Sequence, residues 1–487
     1  MTGAFRAANV VGMMDFRKFP LVAATVLAGL VFSAPAHAAE GLDGAALSVW
    51  WAVPFAGVLL SIAVLPLLAP ALWHHHYGKI AFGWALAFVI PFLATHPFGT
   101  VVETMAHVML AEYVPFLILI GSLFTIAGGV LVRGNIHGSA ATNTGLLAIG
   151  TGIASVTGTT GAAMLMIRPV LRANDDRRHN AHVVIFFIFL VANVGGSLTP
   201  LGDPPLFLGF LKGVDFFWPT VHLFAPMLMV TAILLVAFYA LDSYYYRFDT
   251  HLPPKPDPTP DNRVRLEGKF NLLLLGGVVG AVLLSGVWKP GIEFVVLGTP
   301  VPLQGLVRDA ILIGLAAWSY AATPADVRAG NDFTWGPILE VAKLFFGIFA
   351  TIVPVIAMLR AGPEGAFAGV VALVTGPDGK PDVAMYFWMT GILSSFLDNA
   401  PTYLVFFNMA SGDAAELMGP LATTLAAISA GAVFMGANTY IGNAPNFMVK
   451  AIAEAGGVKM PGFLGYMMWS GIFLIPCFVL VTFVFFR

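Results

Sequence analysis

The chain has 487 residues, 58% of them hydrophobic and only 10% charged, with a formal net charge of −2 and one cysteine, Cys477. Soluble domains carry about 25% charged residues, so this composition, with a mean hydropathy of +0.85, excludes a soluble globular protein. The near-zero charge gives no basis for nucleic-acid binding, the lone cysteine excludes an intrachain disulfide, and the length holds about ten crossings of a bilayer.

Arg17 and Lys18 precede an apolar run over 21–32, and Ala36-His37-Ala38 offers a small-residue cleavage site. This is the pattern of a signal peptide over 1–38, with Met13 or Met14 as alternative starts. An uncleaved first helix is the other reading, and the shortness of the run favours cleavage. In both, the chain after Ala38 begins outside the cytoplasm.

The spans follow from apolar length, and their orientation from Lys/Arg bias. Residues 49–72 cross inward and end at Trp73-His74-His75-His76; 80–95 return; 113–132 cross inward and end at Arg133. Residues 143–171 are apolar but rich in Gly and Thr at the centre, and Arg172, Arg177 and Arg178 follow. Basic residues at both ends fit a re-entrant hairpin, a backbone tolerated at membrane depth only where it is buried in protein or lines water. Residues 182–211 then cross outward and 218–241 inward. A linker over 244–269, with five prolines between Pro253 and Pro260 and several basic residues, reads as a cytoplasmic connector.

The second half repeats this order in the opposite orientation. Residues 270–288 go out, 309–322 come in, and 337–359 go out to Arg360. Residues 383–408 form a second hairpin, dipping from outside. Residues 421–451 cross inward and 463–486 outward. The expected fold is all-α, with about ten transmembrane helices, two re-entrant hairpins and two broken helices. It is organised as a first repeat (39–243), the linker, and a second, inverted repeat (270–487).

Two stretches anchor this reading. N-V-G-G-S-L-T-P-L-G-D-P-P-L-F-L-G-F-L runs over 193–211, and F-M-G-A-N-T-Y-I-G-N-A-P-N-F-M-V-K over 434–450. At an offset of 240, Gly196, Thr199, Gly202, Pro205 and Phe207 meet Gly436, Thr439, Gly442, Pro445 and Phe447. Paired interruptions at corresponding places in two halves point to a transporter's substrate site. At the same offset the hairpin centre Thr157-Gly158-Thr159-Thr160-Gly161-Ala162 meets Leu397-Asp398-Asn399-Ala400-Pro401-Thr402.

Asp203 and Asp398 are the sharpest features. A carboxylate at bilayer depth costs about 2.5–3.5 kcal/mol on insertion scales, so it marks function and faces a polar cavity. The competing role for Asp203 is to cap the half-helix that starts at Pro204. Thr157, Thr159, Thr160 and Thr199 supply hydroxyls on one side; Asn399, Thr402, Asn438, Thr439 and Asn443 supply oxygens on the other. The half-helix N-termini near Pro204 and Pro445 favour an anion, while the aspartates favour a cation. Arg168 is the one candidate anion contact, against the plainer role of reaching the cytoplasmic interface. Glu112 and Glu340 read as interfacial. His74–His76 read as a solvated edge, with a metal site as the sharper alternative. No P-loop, H-E-x-x-H or serine elbow is present, which argues against an ATP-driven pump and the common membrane hydrolases.

The hairpins, the G-D-P-P and G-N-A-P breaks and the linker between halves resemble the ion-transporter superfamily of divalent-anion:sodium symporters, citrate carriers, arsenite carriers and sodium:proton antiporters. Residues 155–174, 195–208, 394–405 and 436–448 carry the resemblance, which is to bacterial proteins described as sodium:proton antiporters or citrate transporters. It implies a homodimer and an elevator-like movement of the hairpins and broken helices. In dicarboxylate members each hairpin tip bears Ser-Asn-Thr; neither tip does here. The expectation is a non-enzymatic secondary transporter of the bacterial inner membrane that exchanges sodium, or another monovalent cation, for protons, with no cofactor or resident metal. A sodium- or proton-coupled citrate or dicarboxylate carrier is the alternative, and a membrane metalloenzyme on His74–His76 a distant third.

Overall fold

A backbone in hydrocarbon must satisfy its own hydrogen bonds, which leaves helices as the means for these long apolar segments to cross. The computed structural model describes residues 42–134, 136–250 and 263–487; the expected signal peptide and prolines 253–260 lie outside the described residues. In chain order the first half runs α1 (Val53–Leu68), α2 (Pro70–Thr95), α3 (Phe98–His107), α4 (Val114–Ala127), β1 (Leu131–Arg133), α5 (Ala140–Thr157), α6 (Thr159–Arg172), α7 (Ala181–Leu190), α8 (Pro204–Leu211) and α9 (Trp218–Thr250). β2 (Arg265–Glu267) pairs antiparallel with β1. The second half runs α10 (Phe270–Val287), the hairpin β3 (Glu293–Val296) and β4 (Thr299–Pro302), α11 (Leu303–Ala322), α12 (Ala325–Gly330), α13 (Gly336–Thr351), α14 (Val353–Arg360), α15 (Ala368–Leu373), α16 (Val383–Phe396), α17 (Asn399–Ala410), α18 (Ala414–Met418), α19 (Ala422–Met435), α20 (Ala444–Ala455) and α21 (Phe463–Phe485).

The protein is an all-α, multi-pass membrane protein. Among the described residues eight helices are long and apolar enough to cross, or nine with α13 and α14 as one span bent by 43°. That bend falls where Pro354 opens α14 without an N–H to donate. The tenth expected span corresponds to α19 and α20, whose break leaves two pieces of 14 and 12 residues. Of these candidate spans the one containing α7, Ala181–Leu198, is the most enclosed, with 89% of its residues buried.

Several boundaries differ from those read in the sequence. The first turn falls at Ala69, before Pro70, so His74–His76 lie within α2. The third span begins at Phe98, because a π-helical turn, Val108–Tyr113, joins α3 to α4 without a break. Glu112 is inside this span and pairs with Lys212 at 2.9 Å. α9 continues to Thr250, so the first residues of the expected linker are helical.

A buried polar cluster ties the base of the first hairpin to α7 and α9. Asp242, fully buried, pairs with Arg177 at 2.6 Å and His182 at 2.7 Å and accepts from Asn143 Nδ2 at 2.9 Å. Asn143 and Asn174 exchange amide hydrogen bonds at 2.8 Å. Burying such charges is tolerable because they are paired and hydrogen-bonded.

Candidate functional site

The two hairpins and two broken helices meet at the centre, and their breaks are built alike. Ser155 Oγ donates to Gly195 O at 2.6 Å, and Ser395 Oγ to Met435 O at 3.1 Å. Thr199 Oγ1 donates to Ser155 O, and Thr439 Oγ1 to Ser395 O. Each threonine accepts from the backbone N–H two residues on, Leu201 and Ile441, both at 3.2 Å. All these pairs stand 240 residues apart. In each break the chain folds back so tightly that a side chain is excluded: a Cβ on Gly202 would lie 2.0 Å from Gly196 O, and one on Gly442 2.5 Å from Gly436 O. Asp203 (φ −146°, ψ 144°) and Asn443 (φ −150°, ψ 138°) then open α8 and α20 from the same extended conformation.

The hairpin tips differ. Gly158 turns the first with φ +76°, a left-handed conformation that suits glycine. Its counterpart is Asp398, which caps α17 by accepting from Ala400 N at 3.1 Å. The next residue in each tip, Thr159 and Asn399, reaches the same carboxylate. Thr159 Oγ1 donates to Asp203 Oδ1 at 2.8 Å, and Asn399 Nδ2 donates to Asp203 Oδ2. Asn443 Nδ2 adds a third donor, to Oδ1 at 3.3 Å. Asp203 is 1% exposed. It is thus held by both hairpins and by the opposite break, and its side chain does not bond the helix it opens. Asp398 has a single backbone donor, Ala400 N, among the described residues.

Two further amides were not singled out from the sequence. Asn193 Nδ2 donates to Asn446 Oδ1 at 2.7 Å, and Asn446 Nδ2 to Gly436 O and Thr439 O at 2.8 and 2.9 Å. They lock the two breaks together. Their signal was present: uncapped amides within apolar stretches that flank each break.

Asp203, Asp398, Thr157, Thr159, Thr160 and Asn443 line one cavity of ≈ 360 Å³. The hairpin tips and breaks form one wall; α1, α2, α4 and α13 form the facing, mainly apolar wall. Glu340 and His74, both read as peripheral in the sequence, lie on that facing wall. The lining thus carries three carboxylates and one imidazole, and no Lys or Arg among the described residues.

The other expected site residues are distributed differently. Thr402 Oγ1 donates to Asp398 O at 3.0 Å and Thr157 Oγ1 to Ile153 O at 3.1 Å, so their protons, like those of Thr199 and Thr439, serve the backbone. Asn438 donates to Ser395 Oγ at 2.9 Å, and its buried Oδ1, like the Oδ1 of Asn399, has no partner among the described residues. Arg168 is not brought to this cavity. It pairs with Asp332 at 3.0 Å in an adjoining cleft that shares Phe124, Pro337 and Met448 with the cavity. No group of three His, Cys, Asp or Glu side chains assembles as a metal site among the described residues, so His74–His76 gather no further ligands.

Residues 44–486 match the family model described as "Putative citrate transport". The chain is also similar to the "46 kDa membrane protein" of Mycobacterium leprae (strain TN), 23% identical over 306 residues. That match covers 61% of the chain and 66% of the relative, just under two thirds of its length.

Proposed function

The chain belongs to the family described as "Putative citrate transport", and from that premise we propose that this secondary transporter exchanges sodium, or another monovalent cation, for protons. The observation that carries the proposal is the charge of the cavity at the hairpin tips and breaks: Asp203 and Asp398 line it there, and among the described residues no Lys or Arg does. Sites for citrate-sized polyanions favour planar, bidentate Arg. Asp398 is the exchanging carboxylate, because its lone pairs are the less committed. Sodium and the proton compete for it, and competition at one site couples two opposed flows. Asp203, fixed by three side chains, sets the negative field and joins both halves. The buried oxygens of Asn399 and Asn438, outside the cavity lining and without partners among the described residues, are the neutral oxygens nearest in sequence to Asp398 and Thr439 that a cation could recruit.

A citrate or dicarboxylate carrier is the second reading. It is favoured by the family's description and by α6 and α20, whose N-termini have no side-chain cap and border the cavity. Such ends bind anions through free N–H groups and the helix dipole. The proposal also includes opposite orientation of the two repeats, which the alternation of spans supports. It includes an inner-membrane location, supported by the basic loops, and a homodimer, which rests on the resemblance. Proteoliposomes loaded with radiolabelled sodium or labelled citrate separate the two readings. Efflux of sodium driven by an inward proton gradient, without citrate, is expected. Citrate counterflow with no citrate-independent sodium flux would replace the first reading with the second.

A further inference from the structure

The proposed exchange uses the two carboxylates on one wall of the cavity, Asp203 and Asp398, and leaves the one on the facing wall, Glu340, without a role. Glu340 lies in the second turn of α13, half-buried, and lines the same cavity as Asp398. The three cavity carboxylates form a series. Asp203 has three side-chain donors, Asp398 one backbone donor, and Glu340 no hydrogen-bond donor among the described residues. A carboxylate's oxygens are acceptors until a proton arrives, so the one with no donor is the one whose lone pairs remain open to a proton. His74 of α2 lines the same wall of the cavity and is itself exposed.

We propose that Glu340, with His74, is a proton-transfer station on the wall facing the exchange site. A proton from bulk water enters on His74 or Glu340, crosses the cavity through water, and protonates Asp398 as the cation leaves. One proton moves against one cation, and no bond other than O–H or N–H is made or broken. The inference rests on the exchange reading above.

The surroundings leave Glu340 available for this task. α2 contributes His74, Tyr77 and the exposed His75, His76 and Lys79. On α13 itself Lys343 lies over the Tyr77 ring, 5.3 Å from its centroid. From the π-turn, Tyr113 donates to Ala342 O at 2.9 Å, and Glu112 is taken by Lys212. On α14, Arg360 donates to Asn408 Oδ1 at 3.0 Å. Across the cavity stand Asp203, Asp398 and Tyr440.

The test uses the full chain in proteoliposomes and compares two modes: sodium:sodium exchange, which needs no proton, and sodium:proton exchange. Glu340→Gln is expected to keep sodium:sodium exchange near the wild-type rate and to slow sodium:proton exchange by about tenfold or more, with an altered pH profile. Glu340→Asp is expected to restore most of the flux, and His74→Gln to give a smaller slowing. Loss of both modes together in Glu340→Gln, or loss of neither, overturns the station. If Glu340→Gln fails to fold, His74→Gln decides by the same comparison: an unchanged proton mode there overturns the proposal. Wild-type protein with no sodium:proton exchange removes the parent reading instead, and is recognised before any variant is made.

Discussion

Asn443 donates Nδ2 to Asp203 Oδ1 at 3.3 Å, and the two residues hold the same place in breaks 240 positions apart. One break contributes a carboxylate and the other an amide, so the corresponding positions form a donor–acceptor pair rather than two repelling charges. Asp203→Asn should turn one acceptor oxygen into a donor against three existing donors. An unfolding cost of about 1–3 kcal/mol is expected from the stranded group, seen as a lower thermal midpoint of the purified protein. The exchange Asp203→Asn with Asn443→Asp should recover more stability than the sum of the single effects allows, since contacting residues are not additive. Strict additivity would show that the contact carries little energy.

Gly158 and Gly145 offer a matched test of the first hairpin. Gly158 sits at φ +76°, with Leu201 O 3.3 Å from an added Cβ, whereas a Cβ on Gly145 meets nothing within 4 Å. Gly158→Ala should destabilise by about 1–2 kcal/mol for the left-handed backbone and reduce transport. Gly145→Ala should be neutral or stabilising by up to about 1 kcal/mol. Equal effects on thermal midpoint and transport would contradict the tip geometry.

Arg177 and Asp242 form a buried pair at 2.6 Å. Arg177→Leu should cost about 3–5 kcal/mol by leaving a carboxylate short of its partner. Adding Asp242→Asn should recover a large part of that loss. Chemical denaturation in detergent reads both; a null result for Arg177→Leu would contradict the cluster's structural role.

Arg168, its side chain 15% exposed, pairs with Asp332, whose side chain is 80% exposed. With one partner open to solvent the ion pair itself contributes about 0–1 kcal/mol, so Arg168→Ala should leave sodium-driven flux nearly unchanged. Citrate uptake that disappears in this variant would favour the anion reading and give the arginine a role at a distance from the cavity.

The hairpins and breaks were legible because glycine, proline and lone carboxylates stand out in apolar surroundings. The offset of 240 also proved physical, since the Ser155–Thr199 and Ser395–Thr439 bonds repeat it atom for atom. Other features depended on partners remote in sequence. Nothing near Arg168 announces Asp332, and nothing near Glu112 announces Lys212, a hundred residues on. Glu340 looked interfacial because it opens an apolar run; only the packing of α2 and α13 around the cavity gives it a place near Asp398. The joint at Val108–Tyr113 escaped because a π-turn continues the helix through Glu112 and Tyr113, which read as its start.

The most direct test of the account addresses Asp398. Proteoliposomes are loaded with a pH-sensitive dye under an imposed pH gradient, and sodium is added outside. Sodium should dissipate the gradient with wild-type protein and leave it intact with Asp398→Asn, while that variant reaches the membrane and purifies like the wild type. Sodium-dependent proton flux at the wild-type rate in Asp398→Asn would contradict the assignment of this carboxylate as the exchange site.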